Sequence, residues 1–79
     1  MIRVRPISPE KLVKVLLKLG FSERRQKESH KIFFNEGGES ITIPFHKSKD
    51  IGKGLLSKII KKLKIDADHF YKLVKSILF

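Results

Sequence analysis

A chain of 79 residues with no cysteine is too short for two independent cores, and it excludes a disulfide framework, a thiolate metal cage and a cysteine nucleophile. Eighteen Lys and Arg against eight Asp and Glu leave a formal charge of +10, a field that draws polyanions and releases counterions from a phosphate backbone. No apolar run approaches the roughly 18 residues that span a bilayer, and no signal peptide is legible, so the expectation is one soluble, cytoplasmic domain over residues 1–79 with no use for a membrane.

Residues 1–7 read as an extended arm, because Pro6 disfavours helical backbone at Arg5. Ser8-Pro9-Glu10 predicts a helix start: a capping hydroxyl, a proline suited to the first helical position, and a carboxylate facing the positive end of the dipole. Leu12, Val13, Leu16, Leu17 and Gly20 share one face, Lys11, Lys14 and Lys18 the other, and Gly20 is a natural exit. Residues 21–27 are too polar to be called a strand on pattern alone and enter the order as a weak strand. Residues 30–35 are rich in aromatic and branched side chains, and 40–44 alternate around Ile41 and Ile43. Asn35-Glu36-Gly37-Gly38 between them is turn chemistry, so the two segments should pair as a hairpin.

A loop over 45–52 carries His46, Lys47 and Lys49. A second helix is predicted from about 53 to 62, with Leu55, Leu56, Ile59, Ile60 and Leu63 in one stripe and Lys58, Lys61 and Lys62 opposite. Asp66 caps a third helix in which Phe70, Leu73, Val74 and Ile77 recur at helical spacing. The order predicts an α+β fold, a three-stranded antiparallel sheet with helices on one face. The aliphatic stripes are core or partner-facing surface, not a cofactor box.

The residues that could carry chemistry are few. His30 lies in the basic run Arg24-Arg25-Gln26-Lys27-Glu28-Ser29-His30-Lys31, just before Ile32-Phe33-Phe34. Imidazole exchanges protons near neutral pH, and the surrounding cations make a place where a phosphodiester could dock. Alternation puts His30 on the face of Ile32 and Phe34, and Lys31 on the face of Phe33. Both faces carry an aromatic, so the pattern leaves open which is buried. His46 reads equally as an exposed loop residue or as a phosphate contact or support of the active site, and His69 as a solvated first-turn residue. The three histidines lack the spacing and carboxylates of a zinc site, so neither metal nor cofactor is expected. Gly52-Lys53-Gly54 falls far short of a phosphate-binding loop, although it would let backbone N–H groups approach an anion.

Together these residues resemble a known family. The helix ending Lys18-Leu19-Gly20-Phe21, the run from Arg25 through Phe33, Thr42-Ile43-Pro44-Phe45-His46, Lys49-Asp50-Ile51-Gly52-Lys53-Gly54-Leu55, the helix through Ile59-Ile60 and the tail Ile65-Asp66-Ala67-Asp68-His69-Phe70 are similar, in order and spacing, to the HicA/YcfA family. These are small toxin ribonucleases paired with HicB antitoxins. The resemblance implies a fold like that of a double-stranded-RNA-binding domain, α-β-β-β-α, here with an extra C-terminal helix. It also implies that the histidine after a Gly-Ser pair is catalytic, and that position is His30. The usual glycine is Glu28 in this chain, and the family's frequent second histidine is Lys31.

The resulting expectation is a toxin-type mRNA interferase, a metal-independent endoribonuclease using His30 as general base on a ribose 2′-OH. Arg24, Arg25, Lys27, Ser29, Lys31, His46, Lys47 and Lys53 are the candidate RNA contacts. The expected partners are messenger RNA and a HicB-like antitoxin, with oligomers formed through the antitoxin complex. Two alternatives stay open: a non-catalytic RNA-binding module of the same fold, with Glu28 as the reason, and a structural subunit whose helix faces serve assembly.

Overall fold

The structure, a computed structural model, describes residues 3–46 and 49–77. Helix α1 (Pro9–Lys18) begins as its sequence dictates, with the Ser8 hydroxyl accepting the Lys11 N–H at 3.3 Å and Pro9 in the first turn. It ends in a Schellman motif. Gly20 takes φ +91, its N–H bonds the Leu17 carbonyl, and the Phe21 N–H bonds the Leu16 carbonyl. Phe21 and Leu16 are both buried, which supplies the apolar contact that accompanies this motif.

The buried stripe of α1 is Leu12, Val15 and Leu16, with Leu19 packed beside it. This corrects the expected face: Leu17 is 52% exposed and Val13 only partly buried. The spacing i, i+3, i+4, i+7 from Leu12 selects Val15, Leu16 and Leu19, and Leu17 lies a further 100° around the helix.

Three strands follow, β1 (Ser22–Lys27), β2 (His30–Phe34) and β3 (Ser40–Pro44), antiparallel in the order β1-β2-β3. The hairpin expected between the last two is present. Gly38, at φ +82, donates to the Asn35 carbonyl, and the Asn35 side chain accepts the Glu39 N–H at 2.8 Å. The weak strand of the sequence is β1, and all of its side chains are exposed. It persists because β2 offers it a complete hydrogen-bonding edge, interrupted by a bulge between Glu23 and Arg25.

Helices α2 (Lys53–Leu63) and α3 (Ala67–Ile77) complete the α-β-β-β-α order that the family resemblance implies, with one additional C-terminal helix. Asp66 caps α3 by accepting the His69 N–H at 2.8 Å. In α2, Leu56, Ile59 and Ile60 are buried, whereas Leu55, expected in the same stripe, is 38% exposed at its border. Phe33, Ile41 and Ile43 from the sheet meet Leu12, Val15, Leu16, Leu56, Ile59, Ile60 and Phe70 from the helices in one core. Among the described residues no polar side chain is buried, so all polar chemistry lies at the surface.

The arm before α1 is tied down at two points. Ile7 and Ile51 exchange backbone hydrogen bonds of 3.1 and 2.7 Å. The Arg5 N–H donates to the Tyr71 hydroxyl at 2.8 Å, that hydroxyl donates to the Arg5 carbonyl, and the Arg5 guanidinium lies 5.2 Å from the ring centroid.

Candidate nucleic-acid interface and active site

The sheet has one face under the helices and one face open. Residues directly opposite in an antiparallel pair share a face. Phe33 pairs with Ile41 and Lys31 with Ile43, and Phe33, Ile41 and Ile43 are almost wholly buried, so this is the covered side. His30, Ile32 and Phe34 therefore point the other way. The question left open by the pattern is settled by β3: its Ile41 and Ile43 lie opposite Phe33 and Lys31, and its Ser40, Thr42 and Pro44 lie opposite Phe34, Ile32 and His30.

On β1 the partners of that open row are Lys27 opposite His30, Arg25 opposite Ile32 and Ser22 opposite Phe34. The bulge at Arg24 turns a second guanidinium toward the same side. Arg24 and Arg25, together with Phe34, Asn35, Glu36 and Gly38, line a cleft of about 480 Å³ at the far end of the row. The open face thus carries a central histidine–isoleucine–phenylalanine row with a cationic strand along one side. His30 is exposed and Ile32 and Phe34 are half-buried.

His30 stands at the first position of β2, held by a two-residue turn, Glu28-Ser29. Glu28 adopts φ +56, the left-handed region that favours glycine, so the turn keeps its shape with a less suitable residue. The Ser29 carbonyl accepts the Phe45 N–H, which extends the β2–β3 pairing past Pro44 and anchors the turn from the other side. These backbone ties fix the Cα of His30 while its ring remains exposed.

The sequence over residues 9–65 matches the family model described as the HicA toxin of bacterial toxin–antitoxin systems. The chain belongs to the HicA toxin family. The matched span runs from the start of α1 through the sheet to the end of α2, so it contains the whole open face and His30. No curated protein matches the sequence. Family membership makes this chain the toxin of a toxin–antitoxin pair and implies an antitoxin partner. No helix among the described residues is long and apolar enough to cross a membrane.

Not every expected contact of the toxin gathers at His30. Lys27 stands opposite His30 and Ser29 adjoins it in the turn, while Arg25 and Arg24 lie further along β1 on the same side. Lys31, next to His30 in sequence, lies on the covered side: its ammonium is 3.5 Å from the Glu23 carboxylate and 4.2 Å from the centroid of the Phe45 ring. His46 is exposed just beyond the Phe45–Ser29 tie, and Lys53 is exposed at the start of α2. Lys47 lies outside the described residues. His69 is exposed in the first turn of α3. No group of three or more His, Asp or Glu side chains that could hold a metal ion is found among the described residues. Sequence reasoning passed over Phe34 and Ile32 as surface residues. Their signal was the register: a loop over 35–39 puts Phe33 opposite Ile41, which forces Phe34 outward.

Proposed function

We propose that this HicA-family toxin is an endoribonuclease that binds RNA across the open face of its sheet and uses His30 as the general base. One observation carries the reading: an exposed imidazole stands at the end of a strand row whose neighbouring strand presents Lys27, Arg25 and Arg24 to the same side. The cations neutralise the phosphates of a strand laid along β1 and β2, at a cost in affinity that rises with salt. In the proposed step the imidazole takes the proton of a ribose 2′-OH as that oxygen attacks the adjacent phosphorus. The bond from phosphorus to the 5′-oxygen breaks, leaving a 2′,3′-cyclic phosphate on one fragment and, once that oxygen is protonated, a 5′-hydroxyl on the other. Lys27, opposite His30 in the ladder, is placed to offset the extra negative charge of the pentacoordinate transition state. The nucleophile comes from the substrate, so the scheme calls for no metal-activated water.

The test is to incubate the purified protein with an unpaired ribo-oligonucleotide and with its 2′-deoxy counterpart. Cleavage confined to the ribo form, with a cyclic phosphate at the new 3′ end, is the expected result. Cleavage of both, or of neither by protein that binds them, overturns the mechanism. Binding without scission would support the module reading, which Glu28 favours by placing a carboxylate and a left-handed backbone two residues before His30.

A further inference from the structure

The cleft lined by Arg24, Arg25, Phe34, Asn35, Glu36 and Gly38 lies apart from His30 and has no part in the step above. His30 and Phe34 are both on β2, four residues apart, which at the rise of a strand separates them by about 13 Å. The reacting phosphate and this cleft cannot be filled by the same nucleotide.

Its lining has a specific chemistry. Phe34 is a half-buried aromatic on the open face, outside the core that Phe33 joins. Two guanidiniums border it, one brought there by the β1 bulge. The Asn35 amide is already committed, accepting the Glu39 N–H and donating to the Glu39 carboxylate at 3.2 Å, so it forms a fixed wall. Glu36 adds a carboxylate to the lining, which disfavours a phosphate beside it and leaves the arginines as the place for an anion. A cleft of about 480 Å³ falls within the size range of pockets that hold small organic groups, roughly 300–1,000 Å³. A flat ring with cations on one edge suits a ligand that is itself a planar ring joined to a phosphate.

From this lining we propose that the cleft is a nucleotide subsite of the toxin, in which an unpaired RNA base stacks on Phe34 while its phosphate is held by Arg24 and Arg25. The proposal rests on RNA being the ligand of the open face. Stacking needs a base whose face is free, so the subsite takes unpaired RNA and rejects the same base inside a duplex. It reads a nucleotide some distance along the strand from the scissile phosphate, and so lengthens the site beyond the catalytic step.

The experiment measures affinity of the full chain for end-labelled unpaired RNA of two and of six nucleotides, and needs no cleavage. The parent protein should gain affinity on lengthening from two to six. Phe34→Leu, which keeps an apolar side chain but removes the ring face, should lose about tenfold on the hexanucleotide, and Phe34→Trp should restore it. Duplex RNA should be insensitive to both variants. If Phe34→Leu does not fold, Arg25→Ala carries the test, with the slope of log affinity against log salt falling by about 0.7. Hexanucleotide affinity unchanged in Phe34→Leu overturns the subsite alone, whereas a slope unchanged in Arg25→Ala overturns the subsite and also removes Arg25 from the phosphate contacts of the open face. Absence of RNA binding by the parent overturns both the subsite and the ribonuclease reading, whereas binding without cleavage overturns only the catalytic step.

Discussion

The two faces of the sheet are written in the same few letters and do opposite things. On the covered side, Phe33, Ile41 and Ile43 are between 0% and 2% exposed and join all three helices in a single core. On the open side, one residue out of phase, His30, Ile32 and Phe34 stand against Lys27, Arg25 and Ser22 from β1 and Pro44, Thr42 and Ser40 from β3. An aromatic at position 33 is structure and an aromatic at position 34 is surface chemistry. The division is made by the partners across the ladder: with a period of two, a slip of one residue would exchange the faces, and the register adopted sets Phe33 opposite Ile41.

Substitutions in each face should separate these roles. The largest effect is expected at His30→Ala, a fall of about 10²–10⁴ in kcat/KM for RNA with an unchanged unfolding midpoint, because the ring is exposed and the proposed function gives it the role of base alone. A matching loss of stability would show that the open face is structural after all. Next is Phe33→Ala, which should cost about 3–5 kcal/mol in urea unfolding, as expected for emptying a fully buried aromatic site. The same truncation at Phe34 should cost much less, and equal costs would erase the distinction between the faces.

A smaller effect is expected in the turn that presents the histidine. Glu28→Gly removes a left-handed non-glycine residue and should raise stability by roughly 0.5–1 kcal/mol, after allowing for the greater freedom of glycine in the unfolded chain. Thermal or chemical unfolding would measure it, and a loss of stability would show that the Glu28 side chain holds the turn. The finest comparison sets Lys27 against Lys31. Lys27→Ala should lower the salt slope of RNA affinity by about 0.7, while Lys31→Ala should leave the slope alone and cost under about 1 kcal/mol of stability through its partly exposed pair with Glu23. Equal salt slopes for the two variants would place RNA elsewhere.

Much of the fold was legible because local rules agree with one another. Ser8-Pro9-Glu10 starts α1 and Gly20 ends it, Asp66 caps α3, and the glycine loop joins β2 to β3. The strand β1 was only weakly legible: Ser-Glu-Arg-Arg-Gln-Lys has no apolar period, since none of its side chains is buried. The tie from Arg5 to Tyr71 spans 66 positions and leaves no local trace. At the site, nearness in sequence grouped Lys31 with His30, but the pleat of a strand sends neighbours to opposite sides. Charge alone singles out Arg24 and Arg25 in the sequence. That both reach the same cleft depends on a bulge, which no composition reveals.

That bare strand has a further consequence. Since β1 contributes no buried side chain, its attachment rests on main-chain bonds to β2 and little else, and the cationic edge is the part of the molecule most easily peeled away. A polyanion lying across Arg24, Arg25 and Lys27 would clasp it in place, so cargo and scaffold would stiffen together, and amide exchange along residues 22–27 should slow when the cargo arrives.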